Sequence, residues 1–582
     1  RLEGTVYTDG KEVNKIAVLP KSPNRPLATG YIYIVEDSWN VSQLDLSLTG
    51  KSLKEPMFDT IVMRQQFLPV GEEGLWRLFS QEMSFTAGGF GFKVGGTFTY
   101  IFSDYMLGKQ FEDGFFGRES FAMEETALAN NDSIWLAERP IPLTAEEEQD
   151  YTKKDSLRTV WESKDYLDSV DREQNKFAFG DFLFGYDRSN TYKKRYFFLK
   201  SPLSTYKFNT VEGHSLRLAG SYTTYDSTEV HRNRVRGFVD YGFADKRLKY
   251  AVSNTYRSNR IHQEYWTIAA GDEYRHFNRD IDNIPFVNTY NGLFRKINNI
   301  RLYRAQFAMA KYQREVANGL YLWATVEYEN RLPLQNNTDY SFFRKDEAYA
   351  TNDPRTINTT TEYLFDESQN LTFSLQLRWR PGQRYASYPT YRLRENSGWP
   401  TFRIKYQKGI AVLGGDTDYD KLSLQIRDNK VSMREYGHSK FNIKLGTFLR
   451  AERLEFMDRF HFDTNANSLL SLDRYMSTFK LMPHYTYSDV NDYMTVYYEH
   501  HFDGYIMDKI PLLKNLGAKL VVGASTLQSP QSGGYYEGTV GIDQLKIGLV
   551  CVFRFDYTWA WGGEGLGSRR GFFVGFHTNI GG

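Results

Sequence analysis

From Tyr192 onward, apolar and polar residues alternate one for one. Leu371, Phe373, Leu375, Leu377 and Trp379 fall on one side of an extended chain, and Thr372, Ser374, Gln376, Arg378 and Arg380 on the other. Leu320, Leu322, Ala324, Val326 and Tyr328 alternate in the same way against Thr325, Glu327 and Glu329. So do Phe402, Ile404 and Tyr406 against Arg403, Lys405 and Gln407, and Leu422, Leu424 and Ile426 against Ser423, Gln425 and Arg427. About sixteen such segments of about 8–11 residues begin near 192, 215, 234, 247, 261, 301, 319, 371, 401, 421, 440, 493, 518, 535, 547 and 571. The polar face carries many charges, as expected of a wall between lipid and water rather than of a soluble sandwich. Leu371, Phe373, Leu375, Leu377 and Trp379 are the expected lipid-facing row.

The expected fold class is all-β: a transmembrane antiparallel β-barrel of about sixteen strands, an even number. A small β-rich periplasmic domain and a short linker helix precede it. With both ends of the barrel on the periplasmic side, strand parity assigns 271–300, 330–370, 451–492 and 557–570 to extracellular loops. The connections 257–260, 313–318 and 541–546 become short periplasmic turns, and 381–400 is an exception in its length.

The expected domains are 1–110, 111–190 and 191–582. In the first, Tyr31 to Val35, Val41 to Leu48, Ile61 to Phe67 and Lys93 to Phe102 read as strands of a compact antiparallel sheet with its own core. The opening Arg1 to Val6 is already strand-like, as expected of a mature or trimmed chain. In the linker, Thr144 and Glu147 form a capping box for a helix to about Lys164. That helix is polar nearly all round apart from Leu157, Val160 and Trp161, the pattern of a solvated linker.

Composition sharpens this picture. The chain has 42 Tyr, 42 Phe and 10 Trp, yet only 41% apolar residues. Aromatic girdles on a barrel with a polar interior reconcile the two. No run of ~20 apolar residues is present to make a membrane helix, so a closed barrel is the remaining way to span lipid. The balance of 72 basic and 71 acidic residues argues against a whole-chain nucleic-acid binder. The one cysteine, Cys551, excludes an intrachain disulfide and a Cys-based zinc site, and reads as a small lipid-facing or packed residue.

Catalytic chemistry is sparse. No P-loop, HExxH or GxSxG pattern occurs. The stretch from Gly88 to Lys93 leads into another strand and reads as a turn or bulge. His500 and His501 are neighbours and point to opposite faces of a strand, so they cannot chelate one metal. Asp416, Asp418 and Asp420 read as a solvated acidic loop. The expectation is a protein that is not an enzyme, with no cofactor and no metal.

One constellation stands out. Arg378, Arg380, Arg403, Lys405, Arg427, Lys444 and Arg450 all fall at inward positions, a luminal basic wall, while Glu327 and Glu329 face a neighbouring part of the wall. Two readings are open: a self-neutralising lattice that fills the barrel, or a pore wall that selects anions. In the first, loop 330–370 folds in and supplies acids such as Asp339, Asp346 and Glu347.

The chain resembles an uncharacterised Bacteroidetes outer-membrane family, described as proteins of unknown function with a carboxypeptidase-like regulatory domain. The matching segments are Glu138-Arg-Pro-Ile-Pro-Leu-Thr, Lys154-Asp-Ser-Leu-Arg, Ser201-Pro-Leu-Ser-Thr, Phe208-Asn-Thr-Val-Glu-Gly, Tyr312-Gln-Arg-Glu, Ala317-Asn-Gly-Leu-Tyr-Leu, Thr338-Asp-Tyr-Ser-Phe-Phe and Arg380-Pro-Gly-Gln. Glu499, His500, His501 and Phe502, followed by Lys509-Ile-Pro-Leu-Leu with Pro511, complete them. The resemblance implies the bacterial outer membrane with the N-terminal domain in the periplasm, no assigned activity, and a regulatory domain ahead of residue 1 that this sequence does not contain.

More distantly, the C-terminal third is similar to the BamA-type superfamily of outer-membrane assembly and translocation barrels, in its strand order from 493 to 580 and its sixteen-strand size. That superfamily implies an Arg-Gly motif in the sixth extracellular loop, here 451–492, which has Arg459, Arg474 and Tyr475 but no Arg-Gly pair. Without that motif the loop is expected to plug the barrel through Phe479, Tyr485 and Tyr487. Val235-Arg236-Gly237-Phe238 matches the motif but lies in the third strand and reads as wall. The expected function is a structural or accessory subunit of an outer-membrane complex. The expected partners are outer-membrane lipid, lipopolysaccharide, and other outer-membrane or periplasmic proteins, with no nucleic acid. The alternative is a transport barrel, either an anion-preferring pore or a BamA-like assembly or translocation barrel.

Overall fold

The computed structural model describes the chain except residues 9, 22–26, 54–57, 72–73, 90–91, 114, 129–138, 140, 280–284, 357–364, 466–468, 511–517, 548–549 and 577–582. Pro511 therefore lies outside the described residues, as does the side chain of Cys551.

The N-terminal strands are β1 (Leu2–Thr8), β2 (Lys11–Val18), β3 (Thr29–Val35), β4 (Val41–Thr49), β5 (Phe58–Val70), β6 (Leu75–Gly89) and β7 (Phe92–Ile101). They form a seven-stranded sheet in sequence order, each strand antiparallel to the next. Register places Leu46, Met63, Met83 and Phe98 in one row on one face. Asp45, Arg64 and Glu82 form a row on the other, where Arg64 reaches Glu82 at 3.0 Å and Asp45 at 3.8 Å. The expected core of this domain is corrected. Its buried apolar side chains among the described residues are Val13, Ala17 and Val35, and the row from Leu46 to Phe98 stays partly or fully exposed. The sheet is a single layer, and a single layer cannot cover both of its faces.

The linker holds β8 (Glu119–Ala122), a helix over Ala145–Trp161 and a second over Lys164–Gln174. Thr144 caps the first helix through the expected box with Glu147. The predicted helix is the first of these, and Ser163 caps the second, which lies beyond the predicted range.

A large antiparallel sheet follows. Its strands are β9 (Tyr186–Asn190), β10 (Arg195–Leu199), β11 (Lys207–Asn209), β12 (Gly213–Tyr225), β13 (Arg232–Gly242), β14 (Leu248–Asn259), β15 (Glu264–His276), β16 (Leu302–Ala317), β17 (Leu320–Leu332) and β18 (Ser368–Trp379). After β19 (Tyr385–Ser387) and β20 (Arg392–Arg394), which stand apart, come β21 (Thr401–Ile410), β22 (Asp418–Ser432), β23 (His438–Arg453), β24 (Leu469–Ser471), β25 (Tyr493–His501), β26 (Lys519–Gln528), β27 (Tyr535–Ile547), β28 (Val550–Gly562) and β29 (Arg569–Phe576). The segment expected near 192 is not one long strand. β10 and β11 both pair with β12, and the helical turn Pro202–Thr205 separates them. Pro202 has no N–H to give to a ladder, and Ser201 Oγ accepts from the Leu203 and Ser204 backbone instead.

The sheet is amphipathic in the inverted sense. On one face Leu218, Val252, Ile268 and Trp559 are exposed, with Ile268 at 65%. On the other, Asp240, Lys249, Glu329, Arg331, Asn442, Glu537 and Asp556 are buried. The long turn 381–400 has a structural role. β19 pairs with β20 and takes β8 of the linker as a parallel neighbour. Tyr385 and Arg392 then dock this hairpin on buried Glu315 near the end of β16. No helix among the described residues is long and apolar enough to cross a membrane.

Candidate functional site

The polar face of the large sheet is filled by the chain itself, through the connection from β23 to β25. This segment, 454–492, touches strands distant from each other in the sheet order. Asp458 receives two parallel bonds of 2.8 Å from Arg331 on β17. The backbone of Asp458 and Arg459 accepts from Lys421 Nζ on β22 at 2.8 and 3.1 Å. Asn442 on β23 donates to the Met476 carbonyl at 2.5 Å, and β24 runs parallel to β29. Phe460 packs over Gly446, where a Cβ would lie 2.9 Å from its ring and 2.2 Å from that of Tyr493. Phe462, Met476, Phe479, Met482 and Tyr487 form one apolar cluster with Tyr497, Leu527 and Tyr535 of the wall.

Two charge clusters hold the segment. In the first, Arg275, Arg279 and Arg331 meet Glu327, Glu329 and Asp458. Arg275 reaches Glu327 at 2.7 Å and Glu329 at 2.8 Å, Arg279 reaches them at 2.8 and 2.6 Å, and Arg331 reaches Glu329 at 2.8 Å. Glu273 also lies 2.8 Å from Arg275, so three cations face four anions, with Tyr303 donating to Glu329 at 3.1 Å. In the second, Lys480 enters a row of wall acids. Its backbone N–H and that of Leu481 donate to Glu537 at 2.8 and 2.7 Å, and its Nζ lies 3.4 Å from Asp556. Arg554 spans Glu499 on β25 and Asp556, with bonds of 3.0, 2.7 and 2.9 Å, and Tyr475 covers both Arg554 and Lys480. Buried charges persist only when matched in this way.

The residues of the predicted basic wall are distributed differently. Arg378 and Arg403 face each other in register, with Arg378 4.5 Å over the Tyr321 ring. Arg380 donates to Thr401 at 3.2 Å, Arg403 to Gln425 at 3.2 Å and Arg427 to Asn429 at 2.8 Å. Lys405 stands opposite Gln376, and Lys444 approaches Asp463 of the plugging segment at 4.0 Å. Arg450 is a correction. A bulge shifts the register between Asp420 and Lys421, so Phe448 pairs with Lys421 and Arg450 with Asp420. Lys421 points at the plugging segment, so Asp420 and Arg450 occupy the opposite face, where Arg450 reaches Asp418 at 2.7 Å.

Glu327 and Glu329 neutralise Arg275, Arg279 and Arg331 rather than the basic wall. Asp339 accepts from the Tyr349 backbone at 3.2 Å and Glu347 lies 3.8 Å from Arg344, both within loop 330–370.

The family-like stretch gains a role. Glu499 is the carboxylate that receives Arg554. His501 stacks on His438 with centroids 4.7 Å apart, 3.3 Å from Glu499. His500 points to the other face, toward the Tyr436 carbonyl at 3.0 Å, and Phe502 packs edge-on against it. Next to them, Asp503 lies in the turn after β25, 2.5 Å from His438 and 3.4 Å from Lys519. Burial pushes its carboxyl up, but the His438 hydrogen bond and the Lys519 charge outweigh that and hold it at about 2. Among the described residues, no three His, Cys, Asp or Glu side chains are placed to hold a metal ion.

Sequence reasoning missed Asp458, Lys480, Arg331 and Arg554. The usable signal was parity, since Arg331 and Arg554 sit at inward positions of their strands. Nothing local marks Asp458 or Lys480, because their partners lie 127 and 76 residues away.

In the comparisons, the model "Family of unknown function (DUF5686)" matches residues 1–105, and "Family of unknown function (DUF5686) C-terminal domain" matches residues 180–542. No curated protein matches the chain. Among solved structures, BamA from Haemophilus ducreyi lacking POTRA domains 1–3 is similar at 10% identity and a TM-score of 0.35, covering 63% of this chain and 68% of that one. CdiB from Acinetobacter baumannii is similar at 10% identity and a TM-score of 0.31, over 66% of this chain and 59% of its own. A porin of Rhodopseudomonas blastica carrying three substitutions is similar at 9% identity and a TM-score of 0.26, over 62% of this chain and 89% of its own. With the C-terminal model spanning most of the chain and the N-terminal model matching its first sheet, this protein belongs to the DUF5686 family of unknown function.

Proposed function

We propose that this protein is a non-enzymatic outer-membrane β-barrel, occluded at rest, that serves as a structural or accessory subunit of an outer-membrane protein complex. The barrel reading is supported by the strand order, which runs from β10 to β29 and returns through β9. With the broken β10–β11 counted as one and the short β9 and β24 left out, the order contains sixteen long strands, which supports the expected number. An outward apolar face with exposed Ile268, Leu218 and Val252 fits lipid, and an inward face of matched charges fits a sealed lumen. Outer-membrane lipid and lipopolysaccharide would then surround the wall, with other outer-membrane or periplasmic proteins as partners. The N-terminal sheet would stand on the periplasmic side, where β8 meets β19.

The observation that carries the reading is segment 454–492, held across the lumen at Asp458 and Lys480. A pore must keep a wetted path, and here aromatic rings and paired charges occupy it. The test has two arms. The purified protein in a planar bilayer should give no steady large current, and a pull-down from native membranes should return stoichiometric outer-membrane or periplasmic partners. A steady, large single-channel current from the wild type would replace this reading with that of an anion pore.

A further inference from the structure

The acids that match inward cations at Asp458 and around Asp240 do not extend along β13. On β13, Arg232, Arg234 and Arg236 share a face with Asp240, because side chains two apart on a strand point the same way. That face is inward: Asp240 is buried against Lys249 and Arg217, while Val239 and Tyr241 on the other side are exposed. Asp240 is already engaged by Lys207, Arg217 and Lys249. Below it the arginines have no such partner.

Among the described residues, no carboxylate lies within 4 Å of Arg232, Arg234 or Arg236. On the same face, Arg234 is flanked by Arg232 and Arg236, one on each side. The next strand adds a fourth cation, since Arg257 stands directly opposite Arg232 in register. Arg257 donates to the backbone carbonyls of Val230 and Glu229 in the adjoining turn. Like charges directly opposite on neighbouring strands destabilise a sheet.

The hydrogen-bonding record agrees. The Nε atoms of Arg232 and Arg234 are both buried and without a partner. Arg234 makes one long bond, 3.4 Å to Ser221 Oγ, and Arg232 lies over the Tyr265 ring at 5.8 Å. Ser221 and Thr223 stand beside Arg236 and Arg234 in register and present hydroxyls to the same space.

We propose that this arginine stripe is a binding site for a phosphate-bearing anion that enters from the periplasmic end of the lumen. Guanidinium forks match phosphate oxygens two at a time, and successive forks on one strand face are roughly 6.6 Å apart, so the stripe accommodates more than one phosphate. Hydroxyls of Ser221 and Thr223 would take further oxygens. Two sources carry this chemistry: a free oligophosphate and the phosphorylated head group of an outer-membrane glycolipid. The inference rests on the barrel reading, which makes the face luminal.

The test uses the full-length protein in detergent at fixed ionic strength, with sodium tripolyphosphate as probe and sodium sulfate as the control anion. Tripolyphosphate should bind at least tenfold tighter than sulfate and raise the thermal midpoint. Arg234→Gln should lower that affinity at least tenfold while raising the midpoint of the ligand-free protein, because it relieves repulsion. Arg234→Lys, which keeps the charge and loses the fork, should fall between them, and Lys430→Gln in an exposed stretch should match wild type. Displacement by lipid A, but not by dephosphorylated lipid A, identifies the head group as the source. Tripolyphosphate binding without displacement identifies the free anion. Equal binding of polyglutamate, no preference over sulfate, or a lower ligand-free midpoint for Arg234→Gln would each overturn the site. A heat-modifiable folded band on an unboiled gel reports the barrel independently, so loss of the site and loss of the barrel are told apart.

Discussion

Replacing Asp458 with Asn should release the plugging segment. The wild-type carboxylate takes two parallel 2.8 Å bonds from Arg331, and the two side chains are 2% and 4% exposed. It also accepts from Tyr419 at 3.3 Å. Each bond to a charged group contributes about 1.5–3 kcal/mol. Asn keeps the shape but leaves buried Arg331 with Glu329 as its remaining carboxylate partner. Breaking one partner of a buried pair costs about 3–5 kcal/mol. If that cost falls on the plugged state alone, the displaced fraction rises by roughly 10²–10⁴-fold. The assay is cleavage of 454–492 by an added protease under native conditions, which tracks the open population when reclosing is fast. Current through a planar bilayer gives a second readout: the wild type should be silent and Asp458→Asn should show openings. A double-mutant cycle with Arg331→Met isolates the pair. Coupling below about 0.5 kcal/mol, the additivity of independent sites, would refute the latch.

Leu375→Arg should cost about 2–4 kcal/mol and impair assembly, because the position faces outward near mid-strand, whereas Gln376→Arg should be tolerated. Equal amounts of heat-modifiable protein from the two variants would reverse the face assignment. Tyr385→Ala should lower stability by about 3–5 kcal/mol, since it opens a cavity and removes the hydroxyl that bonds Glu315 and the Gly319 backbone. Thermal unfolding measures this, and a loss under about 1 kcal/mol would mean that the hairpin 381–400 is not anchored there. Asp503 should make stability acid-sensitive. Its folded value of about 2 lies below its ordinary 3.8, so its contribution is complete above about pH 4 and lost as pH falls through about 2. With about a third of the side chain exposed, the contribution is about 1–2 kcal/mol. Asp503→Asn should flatten the stability profile between pH 4 and 2, and an unchanged profile would count against the His438 contact.

Much of this protein was legible one strand at a time. Alternation in 371–379 and 320–328 located β18 and β17 and assigned their two faces, because a period of two is a property of the extended backbone and needs no partner. Loop parity likewise singled out 451–492 as a long connection. The helix cap at Thr144 was equally local, since both partners lie within one turn. Sequence went wrong where a single residue changes phase or a distant group intervenes. The bulge between β22 and β23 sends Arg450 to the other face, and Pro202 breaks the first strand into β10 and β11. Among the described residues, the core expected of 1–110 shrinks to Val13, Ala17 and Val35, because alternation reports that a strand has an apolar face and not whether anything covers it. The latch was invisible for a related reason. Asp458 meets Arg331 across 127 residues and Lys480 meets Asp556 across 76. Which charge neutralises which is decided by Coulomb interactions at about 3 Å, and only the folded sheet and its plug bring those groups so close.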